Sequence, residues 1–244
     1  MPDSPLAGRR YWIVGASQGL GAAVARALDA RGAALVLSGR DAGRLADLAS
    51  GLRAASVVAM DVSDPASVAA AAGRVGAVDG VVYSVAQYQP MRATAWNAEM
   101  VETMCQANFL GAMRVLGVVV PAMVARDSGH IVLIGSLSGY RGLPGATGYG
   151  ASKAGVMHAA ESLHADLRAT KVQVQVINPG FIRTRLTDKN DFTMPFIMSP
   201  EEAAERTVRA MEGRRFRTDF PRPFSWLFLA SRFFPGWLFR RIFR

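Results

Sequence analysis

The sequence predicts an α/β fold, a doubly wound parallel sheet (Rossmann-type) with helices on both faces. Three observations carry that expectation. Short apolar runs that do not alternate with polar residues recur along the chain, separated by helix-length segments. Such runs suit strands buried on both faces, and right-handed crossovers between them wind the sheet in both directions. A glycine-rich turn follows the first run, at the place where open α/β sheets present backbone N–H groups to a ligand. The length of 244 residues fits one core, and half of the residues are apolar, as in a globular domain.

Taken in order, Arg10–Val14 reads as the first strand. Leu20, Val24 and Leu28 recur at helical spacing until the chain turns near Gly32. Leu35–Leu37 is the second strand, followed by a helix with Leu45, Leu48 and Leu52. Val57–Met60 is the third strand, and Asp64-Pro65 supplies a cap and first turn for the next helix. Val78–Ser84 is the fourth strand, Asn97–Arg126 a long helix, and His130–Gly135 the fifth strand. Tyr149–Thr170 is helical, with Val156, Ala160, Leu163 and Leu167 on one face, and Val172–Ile177 is the sixth strand. Phe181 to Met198 is irregular. Ser199-Pro200-Glu201-Glu202 is a capping box that opens a helix ending near Gly213. There is no internal repeat. The expected organisation is a domain over 1–213, with a lid at 181–200, and a basic aromatic extension over 214–244 that belongs to the same domain.

Several function classes lose ground early. The single cysteine, Cys105, allows no disulfide framework, fits a reducing compartment, and reads as a small buried hydrophobe. The apolar run Tyr11 to Ala16 is too short for a signal peptide, and no uninterrupted apolar stretch reaches a bilayer's length. A cytoplasmic protein is expected. His130, His158 and His164 lack metal-ligand spacing, so no metal is expected. The net charge of +9 sits mostly in the tail, where eight arginines from Arg214 onward face one acid, Asp219. The body is nearly neutral and no nucleic-acid-binding module is present, so no nucleic-acid partner is expected.

Gly15-Ala16-Ser17-Gln18-Gly19-Leu20-Gly21 links the first strand to the first helix. Glycines there allow a tight turn and close approach of a pyrophosphate, and the helix N-terminus adds free N–H groups and partial positive charge. The spacing is G-x-x-x-G-x-G rather than the G-x-G-x-x-G of long-chain dehydrogenases. The second strand ends in Ser38-Gly39-Arg40, with no acid to meet a ribose 2′-hydroxyl. Arg40 therefore reads as a clamp for a 2′-phosphate, with a solvated loop charge as the competing reading. Asp61 and Val62, after the third strand, are placed to contact an adenine, though Asp61 also suits a plain turn.

Tyr149 and Lys153 lie four apart at the start of a helix and so share a face. A nearby ammonium favours the phenolate, which predicts a lowered Tyr149 pKa and a role in proton transfer. Ser136, just past the fifth strand, is placed to hydrogen-bond a carbonyl or alcohol.

With these motifs in order, the chain resembles the short-chain dehydrogenase/reductase family, in its compact single-domain branch, over roughly residues 8 to 213. The glycine motif matches at Gly15, Gly19 and Gly21. The catalytic tetrad matches Asn108, Ser136, Tyr149 and Lys153, and the Pro-Gly motif matches Pro179 and Gly180. The resemblance implies that Asn108 bends its helix and holds a proton-relaying water, and that Lys153 grips the nicotinamide ribose. It places Thr184 at the carboxamide and implies cofactor contacts at Ser17, Gln18, Leu20 and Ile182. It also implies a homodimer or homotetramer built on the helices around 97–126 and 149–170. Two positions depart from the pattern. Tyr83-Ser84-Val85-Ala86 stands where the family has Asn-Asn-Ala-Gly, which predicts altered packing around the central helix and side chains crowding the cofactor passage. Val14 stands where a threonine is common.

The reading is an oxidoreductase that prefers NADP(H) over NAD(H) and moves a hydride between the nicotinamide and a ketone or secondary alcohol. The alternative is a non-catalytic, cofactor-binding regulatory or scaffold protein on the same fold. The tail holds ten of the 21 aromatic residues. Wound as a helix, Trp237 to Arg244 places Arg240, Arg241 and Arg244 on one side and Leu238, Phe239, Ile242 and Phe243 on the other. That pattern suits peripheral contact with a membrane interface and resembles the apolar extensions of sphingoid-base and related lipid-ketone reductases in the family. The competing reading is a tail that packs on a partner subunit or roofs the active site. Both make the mouth of the site apolar, as do Phe192, Met194, Phe196, Ile197 and Met198 in the lid, so a lipophilic carbonyl substrate is expected.

Overall fold

The structure is a computed structural model that describes residues 4–189, 193–231 and 233–242, the side chains at 240 and 242 excepted. The expectations stated for Phe192, Phe243 and Arg244, and for the side chains of Arg240 and Ile242, lie outside the described residues. The sheet comprises β1 (Arg10–Val14), β2 (Ala34–Ser38), β3 (Ala55–Val57), β4 (Gly80–Tyr83), β5 (Gly129–Ile134), β6 (Val172–Pro179) and β7 (Arg217–Phe220). All pairings are parallel, in the order β3-β2-β1-β4-β5-β6-β7. The helices are α1 (Gly19–Ala30), α2 (Ala42–Ser50), α3 (Pro65–Val75), α4 (Ala98–Cys105), α5 (Gly111–Ala125), α6 (Thr147–Asp166), α7 (Pro200–Met211), α8 (Arg222–Ser231) and α9 (Gly236–Ile242).

The strands are apolar throughout because both faces are covered. Trp12, Val36, Val81, Ile131 and Val174 pack in one core with residues of α3, α5 and α6. Ile13, Leu37, Val82, Val132 and Ile177 pack in the other with residues of α1, α2 and α7. Asp64 and Ser199 cap α3 and α7 by accepting from Ala66 N (2.9 Å) and Glu202 N (3.0 Å). The strand order reverses between β1 and β4, and a crevice for a ligand opens beyond the strand ends at such a point.

Some elements differ from the sequence reading. The third strand runs two residues earlier, over Ala55–Val57, in register with Leu35–Leu37 of β2. Helix α6 starts at Thr147, which puts Tyr149 in its first turn. Cys105 is half-buried rather than buried. From 98 to 125 the chain is one continuous helix of 28 residues containing an 18-residue stretch of mean hydropathy 1.7, which by length and composition alone could cross a membrane and which the sequence reading did not single out. Its inner face holds Met104, Ala107, Ala112, Val115 and Met123 in the core, so it serves as the central helix of the domain.

The extension over 214–244 begins inside the sheet. Strand β7 pairs with β6 from Val176↔Arg217 to Pro179↔Phe220. Arg217-Thr218-Asp219-Phe220 carries one apolar residue, so no apolar run announced it. Helix α8 buries Phe224 and Phe228. On α9 the expected outward apolar face turns inward at Phe239, which is 5% exposed and has the Arg141 guanidinium 4.2 Å from its ring centroid. Among the described residues, the exposed aromatics of the tail are instead Trp226, Phe233 and Trp237.

His130 is a core residue at the opposite end of the sheet. The Gln175 amide nitrogen donates to the carbonyls of Ala210, Gly213 and Arg215, leaving its oxygen to accept from His130 Nε2 at 2.8 Å. The Tyr11 hydroxyl then donates to Nδ1 at 2.7 Å. Burial holds the imidazole well below its usual range, at about 4. Among the described residues, no group of three or more His, Cys, Asp or Glu side chains is arranged to hold a metal.

Candidate active site

One cleft of about 460 Å³ runs along the carboxyl ends of the central strands. Gly15, Ser17, Gln18, Gly19, Leu20, Gly21, Arg40, Asp61, Val62, Pro179, Gly180, Ile182 and Thr184 line it, together with Ser136, Tyr149 and Lys153. Asn108 is fully buried behind that wall.

The glycine turn is shaped for close approach. Gly15 has φ +92°, and a Cβ there would meet Val85 N at 2.9 Å; a Cβ on Gly21 would meet Gly15 O at 2.0 Å. Gln18 stands at the N-cap of α1 without a side-chain cap bond, so the first-turn N–H groups are left for an anion. The cradle, the free amides and the cleft length fit a dinucleotide. Arg40 is exposed at the rim. Two further arginines converge nearby from opposite walls: Arg44 and Arg185 both donate to Gln18 Oε1, at 2.9 and 3.3 Å. Sequence reasoning passed over both, although Arg183 and Arg185 flank Thr184. Asp61 Oδ1 accepts from Ser63 N at 2.8 Å, so this residue builds a turn as well as lining the cleft. Thr184 lies over the glycine turn, with its methyl 3.3 Å from where a Cβ on Gly19 would stand.

At the other end, Ser136 follows β5 and Gly135. Its hydroxyl accepts from Ser138 N (3.2 Å) and Ser138 Oγ (3.0 Å) and lies near enough to the Tyr149 phenol to work against the rise of its pKa. Lys153 is 1% exposed, and Nζ donates to Ile134 O at 2.9 Å and Val85 O at 3.3 Å. It lies 6.0 Å from the Tyr149 ring centroid. The expected lowering of the Tyr149 pKa is overturned. Burial pushes this phenol up to about 12, and only the Ser136 hydrogen bond works against it. The same burial lowers Lys153 to about 8. The spacing of four fixed which face the two side chains share; the ammonium turned to backbone carbonyls instead of to the phenol.

The central helix is distorted at Asn108, where residues Gln106–Leu110 form a π turn. Asn108 Oδ1 accepts from Gln87 N at 2.6 Å, while Nδ2 donates to Gln87 O (2.9 Å) and Ser152 Oγ (3.0 Å). Asn108 thus ties the loop after β4 to the helix that carries Tyr149 and Lys153. The unusual Tyr83 supports the same junction, donating to Ala107 O at 2.5 Å. Val85 presses on the glycine turn, its side chain 3.0 Å from the Gly15 Cβ position. Tyr88 meets Tyr149 edge to face at 5.1 Å, and no signal in the sequence marked it. Behind Ser136, Leu137, Phe224 and Phe228 form a small buried cluster with Leu143 and Phe181 packed against it. Phe196 joins it, 6.0 Å from Phe224.

Comparison with known proteins agrees with this geometry. A family model described as short chain dehydrogenase matches residues 10–194. An uncharacterized oxidoreductase of Myxococcus xanthus is 35% identical over 221 residues, covering 87% of each chain. A short-chain dehydrogenase from Sphingobium yanoikuyae, solved in complex with NADPH, is 29% identical with a TM-score of 0.82, covering 92% of this chain and 90% of that one. A short chain dehydrogenase from Burkholderia cenocepacia, solved with NADP, shares the fold with a TM-score of 0.87 at 22% identity, covering 98% of this chain and 99% of that one. The chain belongs to the short-chain dehydrogenase family and is one of its NAD(P)-dependent oxidoreductases.

Proposed function

We propose that this enzyme is an NADP(H)-dependent reductase of lipophilic ketones, with Tyr149 as the proton donor. The observation that carries the reading is the Tyr149 phenol, which lines the dinucleotide cleft beside Ser136 and Lys153 and has the Tyr88 ring packed edge to face on its own. The nicotinamide supplies or accepts the hydride. The Ser136 hydroxyl and the Tyr149 phenol hold the carbonyl oxygen, and Tyr149 passes its proton to that oxygen. Lys153 grips the nicotinamide ribose and replaces the phenol's proton, while Asn108 fixes the loop and helix that frame them. Burial holds this phenol well above its ordinary value, so it is in the form that can donate a proton. The test is NADPH oxidation over ketones graded by acyl length. Rising kcat/KM with chain length is expected; turnover of polar ketones alone would sink the lipophilic part.

The preference for NADP(H) rests on Arg40 at the rim, on the absence of an acid before Asp41, and on Arg44 and Arg185 nearby. Arg40→Ala is expected to weaken NADPH binding about 10-fold or more while leaving NADH nearly unchanged, because a charged hydrogen bond to the 2′-phosphate is lost. Cofactor fluorescence titration measures this, and equal losses would remove Arg40 from the phosphate.

The reading extends to assembly and location. Leu110, Gly117, Pro121 and Val124 are exposed along the central helix. That stripe supports a homodimer or homotetramer, and light scattering at micromolar concentration is expected to give a multiple of 26.1 kDa. Trp226, Phe233 and Trp237, beside exposed Arg222 and Arg241, support a cytoplasmic enzyme that meets anionic membrane surfaces peripherally. Full-length protein is expected to co-sediment with anionic liposomes at low salt, and a chain truncated after Arg222 is not; equal behaviour would remove the membrane.

A further inference from the structure

The turn that carries Ser136 is wedged between two elements. On one side lies α6, the helix of Tyr149 and Lys153. Gly139 packs so closely on it that a Cβ would meet Ala154 N at 3.0 Å and the Lys153 carbonyl carbon at 3.1 Å. On the other side lies the C-terminal segment, which holds the turn at three places. Leu137 is buried against Phe224 and Phe228 of α8. The Tyr140 hydroxyl donates to Asp219 Oδ1 of β7 at 2.6 Å, and Asn178 Nδ2 donates to the same oxygen at 2.8 Å and to the Tyr140 hydroxyl at 3.1 Å. Arg141 donates to the carbonyls of Ser231 and of Phe234, the latter at 3.1 Å, while its guanidinium covers the Phe239 ring.

We propose that Asp219, Tyr140 and Arg141 are positioning residues for the reaction, through which the C-terminal segment fixes where the Ser136 hydroxyl sits relative to Tyr149. The distance is short along the chain: Gly139 N bonds Ser136 O and Tyr140 N bonds Leu137 O, so Ser136 and Tyr140 bracket a single tight turn. A pull at Tyr140 therefore moves Ser136 directly. The network also keeps Tyr140 out of the proton chemistry. Burial and then the Asp219 carboxylate hold its phenol well above the ordinary tyrosine value, so it stays a donor. Arg217, the nearest cation on the same strand, lies 5.7 Å from the Tyr140 ring centroid and is paired with Glu161. On this basis β7 and α8 complete the active site.

The inference rests on Ser136 and Tyr149 as the reacting pair, and Ser136→Ala serves as the reference. If that variant keeps full turnover, the reading of the pair has failed, not merely the brace. The variants are Asp219→Ala, Tyr140→Phe and Arg141→Ala, with Asp219→Asn and Arg141→Lys as conservative partners that keep an acceptor or a donor. With benzil as an apolar ketone probe, the three disruptive variants are expected to lose kcat by about 10-fold or more with KM within about twofold, the pattern of a misplaced reacting group. NADPH affinity, read by fluorescence, stays at the wild-type value, and the conservative variants recover most of the rate. In the oxidation of the product alcohol, the rise of rate with pH moves to higher pH, because Tyr149 loses the hydrogen bond that opposes its burial. Hydrogen exchange over residues 135–146, which needs no substrate, speeds up in the disruptive variants and returns in the conservative ones. Unchanged exchange in the disruptive variants overturns the proposal. So does faster exchange without loss of kcat or a shift of the pH limb, or a loss of rate matched by an equal loss of NADPH binding.

Discussion

Tyr149→Phe is expected to cut turnover by about three orders of magnitude while leaving NADPH affinity within about twofold, since only a general acid is removed. The ring contacts with Tyr88 are kept by phenylalanine, so packing changes little. What disappears is the hydroxyl beside Ser136, the group able to give a proton to a carbonyl oxygen in that position. Three of the other tyrosines are committed elsewhere. Tyr140 is committed to Asp219, Tyr83 to Ala107 O and Tyr11 to His130. Burial raises the phenols of Tyr83 and Tyr11 as well. Steady-state kinetics with an apolar ketone, beside a fluorescence titration with NADPH, measures both halves. Retained turnover in the variant would take the proton transfer away from Tyr149, and an intact chain that reduces no carbonyl would favour the non-catalytic reading.

The parts of the site that were legible in the sequence are those fixed by chain order. Gly15 to Gly21 and Ser136 each follow closely on a strand with a strong apolar signature, so their place at the strand ends could be read from the pattern, and the Tyr149–Lys153 pair opens a helix whose apolar face is marked by Val156 and Ala160. The parts that were not legible depend on tertiary partners. Strand β7 is held by pairing with β6 and by Asp219 bonding Tyr140, 79 residues away, and neither leaves an apolar run. The helical pattern of the tail separated apolar from basic residues but could not tell which side turns inward, because the partners Phe239 meets there, Arg141 among them, lie far off in the chain. The Tyr149 pKa failed for a related reason. Spacing reports that a lysine and a tyrosine share a face; it does not report that both are buried, nor that Ile134 O and Val85 O compete for the ammonium.

Gly21→Ala is expected to weaken NADPH binding by about 100-fold, a cost of about 3 kcal/mol, because the new methyl group cannot be accommodated without moving backbone. A Cβ at this position would stand 2.0 Å from Gly15 O and 3.3 Å from Ala16 Cα. Those atoms belong to the turn itself, and Gly15 has no freedom to retreat, since its own Cβ position is already 2.9 Å from Val85 N. Relief therefore has to come from opening the turn or shifting α1, and either moves the amides of residues 17–21 away from where phosphate oxygens would be held. Gly73, in the last turns of α3, gives the contrast. It has nothing within 4 Å of its Cβ position and is solvent-exposed, so Gly73→Ala is expected to stabilise the fold by about 0.5–1 kcal/mol through helix propensity alone. Fluorescence titration with NADPH and urea unfolding of both variants separate the two effects. A Gly21→Ala protein that is folded and binds NADPH like the wild type would show that the turn yields freely, and that close backbone approach there is not what holds the cofactor.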